Sequence, residues 1–242
     1  MTKENNPSYF ESYFQYLNPN FSIEWYRDHM LADFPEILSL PKNSKVLDLG
    51  CGTGQLLAVL HQQKFTNLSG IEFDKGQYEA AKKLVPSASL QQGDFFKLLE
   101  QNTQKYDVIF MIDVIEHIQK DQIVTLLTLI KNHLAPNGKL CIRTPNADFP
   151  LTAPRFRYID ITHVTIFTQE SMATLLRLAG FSQFIFRPSY IPRSGIKKFI
   201  FNIVRRIGDS LLRLYLYVYI HEAAKRAILS PNFNTVVTNG ER

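Results

Sequence analysis

The sequence predicts an α/β fold, a three-layer sandwich in which one mostly parallel sheet lies between two layers of helices. Three observations carry that prediction. Short apolar runs alternate with stretches of helical periodicity from Lys45 to Ala179, and strands that alternate with helices pair in parallel. The first apolar run breaks at Gly50, Gly52 and Gly54 into a tight turn before a helix begins, the usual place for a ligand in such a sheet. Finally, 242 residues with 45% hydrophobic and 20% charged side chains suffice for one such domain without disulfide or metal staples.

An aromatic-rich helical region from about Ser8 to Leu40 comes first, an N-terminal helical cap over residues 1–40. The core, residues 41–192, opens with a strand at Lys45–Leu49 and a helix at Gln55–Gln63. The same unit recurs as Leu68–Phe73 with Lys75–Leu84, Ser89–Gln91 with Phe95–Glu100, and Tyr106–Ile112 with Gln119–Leu134. Lys139–Arg143 follows, then a long loop at Pro145–Thr168 and a helix at Gln169–Ala179. Ala135-Pro136-Asn137-Gly138 and Ala179-Gly180 signal helix ends, since glycine takes the left-handed cap conformation without strain. A sixth strand at Gln183–Arg187 precedes a basic helical insertion over residues 193–230. The last strand, Thr235–Thr238, lies in the terminal stretch 231–242.

Charge is unevenly spread. The chain carries +5, yet Arg193–Arg226 alone holds eight basic and two acidic residues, leaving the remainder at −1. A nucleic-acid-binding cleft would carry its basic residues on the catalytic domain, so a nucleic-acid partner is not expected and a local surface contact is. No apolar run follows a basic start and none is long enough to cross a bilayer, which points to a cytoplasmic protein. Cys51 and Cys141 have no metal-ligand spacing partner and read as reduced thiols.

The glycine turn identifies the ligand by what it lacks. A dinucleotide fingerprint would place its third glycine or alanine at position 55, where Gln55 stands. Asp48, just before the turn, suits a cationic amine rather than a pyrophosphate. Glu72 ends the second strand, where a carboxylate accepts both hydroxyls of a ribose. Asp94 ends the third, placed for an adenine amino group. Three carboxylates at three successive strand ends fit S-adenosylmethionine. Gly50, Cys51, Gly52 and Gly54, the rings of Phe73 and Phe95, and Ile112 with Asp113 complete the candidate cofactor set.

The run VLDLGCGTG at Val46–Gly54, Glu72, the Gly93-Asp94 pair, and YDVIFMIDVIEHI followed by APNGKL resemble the class I S-adenosylmethionine-dependent methyltransferase superfamily over about Lys45–Arg187. DVIEHI, the later TPN and the Asp160–Thr168 pattern are similar to small O-methyltransferases of quinone and bacterial surface-polysaccharide biosynthesis. The resemblance implies a Rossmann-like, seven-stranded sheet whose last strand runs antiparallel.

Methyl transfer from a sulfonium is an in-line displacement, so the enzyme aligns the partners and removes a proton from the nucleophile. Glu116 and His117 after strand four, and His163 in the Pro145–Thr168 loop, are the catalytic candidates, because a neutral imidazole can accept a hydroxyl proton at cellular pH. Equally, Glu116 and His117 can tie the following helix while His163 orders the loop. That loop reads as a lid, and its Arg155, Arg157, Tyr158 and Asp160 suit a polar or anionic acceptor.

The acceptor expected is therefore a sugar hydroxyl or a lipid-linked glycan intermediate, with a quinone-type phenol as alternative. Asp113, Glu116, His117 and His163 also resemble the magnesium quartet of small-RNA terminal 2′-O-methyltransferases, although Asp113 stands where that family has Glu. Whether a metal is used stays open. A non-catalytic S-adenosylmethionine-binding partner protein is the remaining alternative.

Within the insertion, Ile196, Phe199, Ile200, Ile203, Ile207, Leu211, Leu214 and Val218 recur at helical spacing opposite Lys197, Lys198, Arg205, Arg206 and Arg213, with a break expected near Gly208. Residues 196–220 thus suit an anionic membrane surface at the inner face, or packing on the domain or on a second subunit in a homodimer. Tyr26 and Arg27 can close over the cofactor or pack on the helix surface.

Overall fold

The computed structural model describes residues 22–190 and 195–240. The expected helix start at Ser8, Arg193, and the side chains of Ile196, Lys197 and Lys198 lie outside the described ones. From Ile23 onward the order is α1 (Ile23–Asp33), β1 (Lys45–Leu49), α2 (Gln55–Gln62), β2 (Asn67–Glu72), α3 (Lys75–Leu84), β3 (Ser89–Gln92), α4 (Phe95–Glu100) and β4 (Tyr106–Ile112). It continues with α5 (Ile123–His133), β5 (Leu134–Pro145), α6 (Ala153–Tyr158), α7 (Gln169–Leu178), β6 (Gln183–Ser189), α8 (Gly195–Ile220), α9 (Glu222–Arg226) and β7 (Asn232–Thr238).

The seven strands form one sheet in the order β3-β2-β1-β4-β5-β7-β6. All pairings are parallel except those of β7, which is antiparallel to both β5 and β6. Side chains alternate between faces with period two, and the core divides accordingly. Leu47, Leu49, Ile109 and Met111 pack with α4, α5 and α7 on one face. Val46, Val108 and Phe110 pack with α1 and α2 on the other.

Caps account for several boundaries. Asp74 accepts the Gln77 N–H at 2.9 Å to start α3, and Thr168 forms a reciprocal capping box with Ser171 at α7, satisfying amides that a helix start leaves unpaired. Four expectations need correction. The helix expected from Gln119 starts at Ile123, since Ile115–His117 forms a tight 3₁₀ turn first. Leu134–Gly138, read as a helix end, belongs to β5, where Tyr106 pairs with Leu134 but Val108 with Lys139, so that residues 135–138 bulge out. The lid is not without structure, because α6 lies inside it. Gly208 does not break the insertion: α8 runs through it unbroken and turns only at His221, whose φ is +44°.

The sheet topology fixes where the site can be. Ser189 and Pro145 both pair with Asn232, so the insertion between β6 and β7 leaves and returns at the carboxyl edge of the parallel strands. Ligands bind at that edge in open α/β sheets.

Candidate active site

A cavity of about 640 Å³ opens at that carboxyl edge, lined by the ends of β1, β2, β4 and β5, the starts of α4 and β7, α1 and the lid. Its floor is the turn after β1. Gly50 and Gly52 have φ of +71° and +54°, and a Cβ on Gly50 would stand 2.6 Å from Val114 Cγ2. Only glycine allows both the left-handed conformation and that approach. Gly54, also left-handed, caps α2 and does not line the cavity.

The carboxylates at the strand ends divide into two kinds. Glu72 Oε2 accepts the Gly52 N–H and Oε1 the Asp74 N–H, each at 2.8 Å. These bonds fix the carboxylate yet leave each oxygen a lone pair towards the cavity. Burial pushes Glu72 up in pKa, partly offset by those two amides. Asp48 is buried, and its burial, then the nearby Glu72 charge, push it up to about 8. A buried carboxyl so poorly compensated fits a cationic partner. Asp94 does not line the cavity: its Oδ1 accepts the Phe96 N–H at 2.9 Å and caps α4. A short polar side chain before a helix is drawn to the free amides there, and Asp94 takes that capping position with Oδ1. Cys51, Phe73, Phe95, Ile112 and Asp113 line the cavity as expected. Cys51 is a buried thiol pushed up by desolvation.

Opposite this half stand Glu116, His117 and His163. One donor atom from each lies within 4.8 Å of the others, and the two imidazole rings meet edge-on at 4.7 Å between centroids. Hydrogen bonds fix the protons. Thr162 Oγ1 lies 2.6 Å from Asp160 Oδ1, to which it donates its single proton. It must then accept from His117 Nδ1 at 2.8 Å. His163 Nδ1 donates to the Phe156 carbonyl at 2.6 Å. Each ring therefore keeps its basic lone pair on Nε2. Burial, and next the neighbouring His163, lower the His117 pKa, so the ring is neutral at cellular pH. Glu116 is fully buried; Oε2 accepts the Thr144 hydroxyl at 3.0 Å while Oε1 has no hydrogen-bond partner. Burial and then the Asp113 charge hold it well above the carboxylate range.

Asp113 does not join that trio. Its φ is +55°, and Arg143 Nε reaches its Oδ1 at 3.1 Å while Nη2 pairs with Oδ2. The same buried guanidinium approaches Asp33 Oδ2 at 3.6 Å, and Ser189 donates to that oxygen at 2.9 Å. Arg143 thus joins the strand ends to α1. Sequence reasoning missed Arg143, and also Trp25 and His29, which line the cavity from α1 beside Tyr26. Periodicity within α1 could have offered the helix but not its docking. Arg27 instead pairs with Asp28 at the surface, 2.9 Å away.

The lid turns a different face inward than its composition suggests. Phe156, Ile159, Asp160 and His163 line the cavity, whereas Arg155 and Tyr158 are exposed and Arg157 donates to the His163 carbonyl. Helical spacing at α6 places Phe156 and Ile159, three apart, on one side. Backbone bonds from Val164 and Thr165 to the Glu116 carbonyl, at 2.8 and 3.2 Å, pin the lid.

A family profile described as a methyltransferase domain matches residues 23–183. Over 104 residues the chain is 34% identical to a ubiquinone biosynthesis O-methyltransferase of Rickettsia typhi, covering 42% of this chain and 41% of that protein. It is 25% identical over 131 residues to a small RNA 2′-O-methyltransferase of Tetrahymena thermophila, covering 46% of this chain and 31% of that protein. The chain thus spans about half or less of the length of the curated relatives it matches. A crystal structure of an S-adenosylmethionine-dependent methyltransferase from Archaeoglobus fulgidus superimposes with a TM-score of 0.68, 16% identity, and coverage of 96% of this chain and 100% of that one.

Proposed function

This chain belongs to the methyltransferase domain family, with S-adenosylmethionine as its cofactor, and we propose that it methylates a phenolic hydroxyl of a quinone-type precursor. The observation that carries this reading is the inward face of the lid. Phe156 and Ile159, with Trp25, Val114 and Ile118, give the acceptor side an apolar wall, which suits a ring better than a sugar. The relatives named for ubiquinone biosynthesis support it. A hydroxyl of a sugar or of a lipid-linked glycan intermediate is the competing acceptor, and the outward turn of Arg155 weakens it.

The bound cofactor supplies an electrophilic methyl carbon on a sulfonium. Asp48 receives the cationic amine, Glu72 the ribose hydroxyls, and the backbone at Gly50 and Gly52 lets the ligand approach without a side chain between. Phe73 and Phe95 flank the base. His117 Nε2 accepts the phenol proton, and Asp160 with Thr162 holds the ring in the tautomer that can do so. Phe156 and Ile159 exclude water from the reacting atoms.

The test is methyl transfer from S-adenosylmethionine to a panel of catechols, hydroxybenzoates and sugars. Turnover of a catechol is expected; turnover of sugars alone would overturn the phenol reading, and none at all would favour a non-catalytic binding partner.

Glu116, His117 and His163 also support a second reading, in which the trio holds a divalent cation that binds the acceptor oxygens. A carboxylate oxygen without a partner beside two imidazole lone pairs is a plausible donor set. In that case EDTA abolishes turnover and magnesium restores it; turnover unchanged by EDTA leaves the trio as proton-handling groups.

A further inference from the structure

We propose that the outward face of α8 is a docking surface for an anionic lipid bilayer, placed so that the pocket mouth faces the membrane. The proposal goes beyond the acceptor assignment and holds whichever hydroxyl is methylated.

The helix turns a large apolar face outward. Its 26 residues extend for roughly 39 Å at 1.5 Å per residue. Its inward side carries polar contacts beside the half-buried Leu212 and Leu216. Arg205 stacks over the Tyr190 ring at 4.0 Å and approaches Asp209 at 3.4 Å. Arg213 donates to the carbonyls of Lys225 and Ala227 at 3.0 and 3.2 Å. The opposite face carries Ile200, Val204, Ile207, Leu211, Leu214 and Val218, all exposed, with Leu211 at 63% and Val218 at 65%. These six fall within one stripe at a spacing of three, four and seven residues. Such a stripe of uncharged apolar side chains in water needs an occupant.

Charge selects which one. Both acidic residues of the segment are engaged by its own bases: Asp209 by Arg205, and Glu222 by Lys225 at 2.7 Å. The segment Arg193–Arg226 carries +6 in sequence, and among its described bases Arg206 and Arg226 are exposed. A second copy would bring two such segments together and repel, whereas an anionic surface attracts them. Tyr215, Tyr217 and Tyr219 near the end of α8 are exposed and fit the headgroup level, where a ring with a polar tip is favoured. Among the described residues no helix is long and apolar enough to cross a membrane, so the helix lies in the interface rather than through it.

Topology connects this face to the pocket. The insertion leaves after Ser189 and returns at Asn232, which pairs in register with both Ser189 and Pro145; Asn232 and Pro145 line the cavity. Leu151 and Ile161 of the lid are exposed at the same carboxyl edge.

The experiment is co-sedimentation of the full chain with phosphatidylglycerol-containing vesicles and with pure phosphatidylcholine vesicles, with no acceptor present. Pelleting with the anionic vesicles at low salt is expected, lost at about 0.5 M salt where charges are screened. The double variant I207E/L211E should weaken binding roughly tenfold or more, with unchanged S-adenosylhomocysteine affinity and circular dichroism. R206E/R226E, which leaves the apolar stripe intact, gives a second reading and should weaken binding to anionic vesicles alone. No pelleting of the wild type at low salt overturns the proposal. So does a dimer in sedimentation velocity that I207E/L211E dissolves while vesicles go unbound. Because no acceptor is used, failure here and failure of the phenol reading are told apart.

Discussion

The two halves of the pocket are built differently. On the cofactor side, the groups come from the ends of β1 and β2 and the turn between β1 and α2. Glu72 is held by two backbone amides. On the acceptor side, His117, Thr162 and Asp160 are linked side chain to side chain, Glu116 is held by the Thr144 hydroxyl and His163 by the Phe156 carbonyl, while Arg143 ties the neighbouring Asp113 to Asp33 of α1. Backbone-held groups are fixed by local geometry, whereas side-chain networks depend on every member. Substitution on the first side should therefore affect binding, and on the second turnover or stability.

The largest expected effect is on chemistry. His117→Ala should lower kcat about 10²–10⁴-fold, the range for losing a general base, with little change in S-adenosylhomocysteine affinity measured by calorimetry. Equal losses in both would erase the distinction between the halves. Because the His117 pKa is lowered, the base stays neutral on acidification through its ordinary range. The acid limb of the kcat profile of the wild type should accordingly lie below about 6.5.

Next comes stability. Arg143→Met leaves the buried Asp33 and its neighbour Asp113 without their shared cation, and removing one partner of a buried pair costs about 3–5 kcal/mol. A denaturant titration with an unaltered midpoint would show that α1 docks through Met30 and Phe34 packing alone.

The smallest effect concerns the cofactor side and pH. Asp48 is held protonated in the free pocket up to about 8, and a cationic amine requires the carboxylate. Binding of S-adenosylhomocysteine should thus tighten as pH rises from 6 towards 8, since less proton must be displaced. Linkage gives the complementary sign for the free protein: a carboxyl raised in the folded state contributes stability that is lost as pH climbs through that window. Asp48→Asn should weaken binding roughly tenfold, about one lost charge-assisted contact, and flatten the pH dependence. A slope that persists in the variant would assign the proton elsewhere.

The contrast also explains what was legible beforehand. Val46–Gly54 and Glu72 could be read because their placement follows from strand, turn and helix within 27 residues. The capping role of Asp94 was not legible, because a strand-end carboxylate and an N-cap occupy the same place in sequence. Arg155 and Tyr158 misled because lid composition does not say which side of α6 faces inward; the three-residue spacing of Phe156 and Ile159 held that information only once α6 was known to be helical. Trp25 and His29 gave no chemical signal at all.

By itself the sequence determined the alternation of strands and helices, the glycine turn and the identity of the cofactor, because period-two and helical patterning, positive-φ glycines and strand-end carboxylates are local properties of the chain. Only the tertiary structure decided that Asp113 turns to Arg143 rather than to the histidines, that His117 carries its proton on Nδ1, and that α8 turns its apolar stripe outward. Each of these depends on contacts between residues far apart in the chain. Short-range periodicity sets which faces a segment has, and the packing of distant segments sets where each face points.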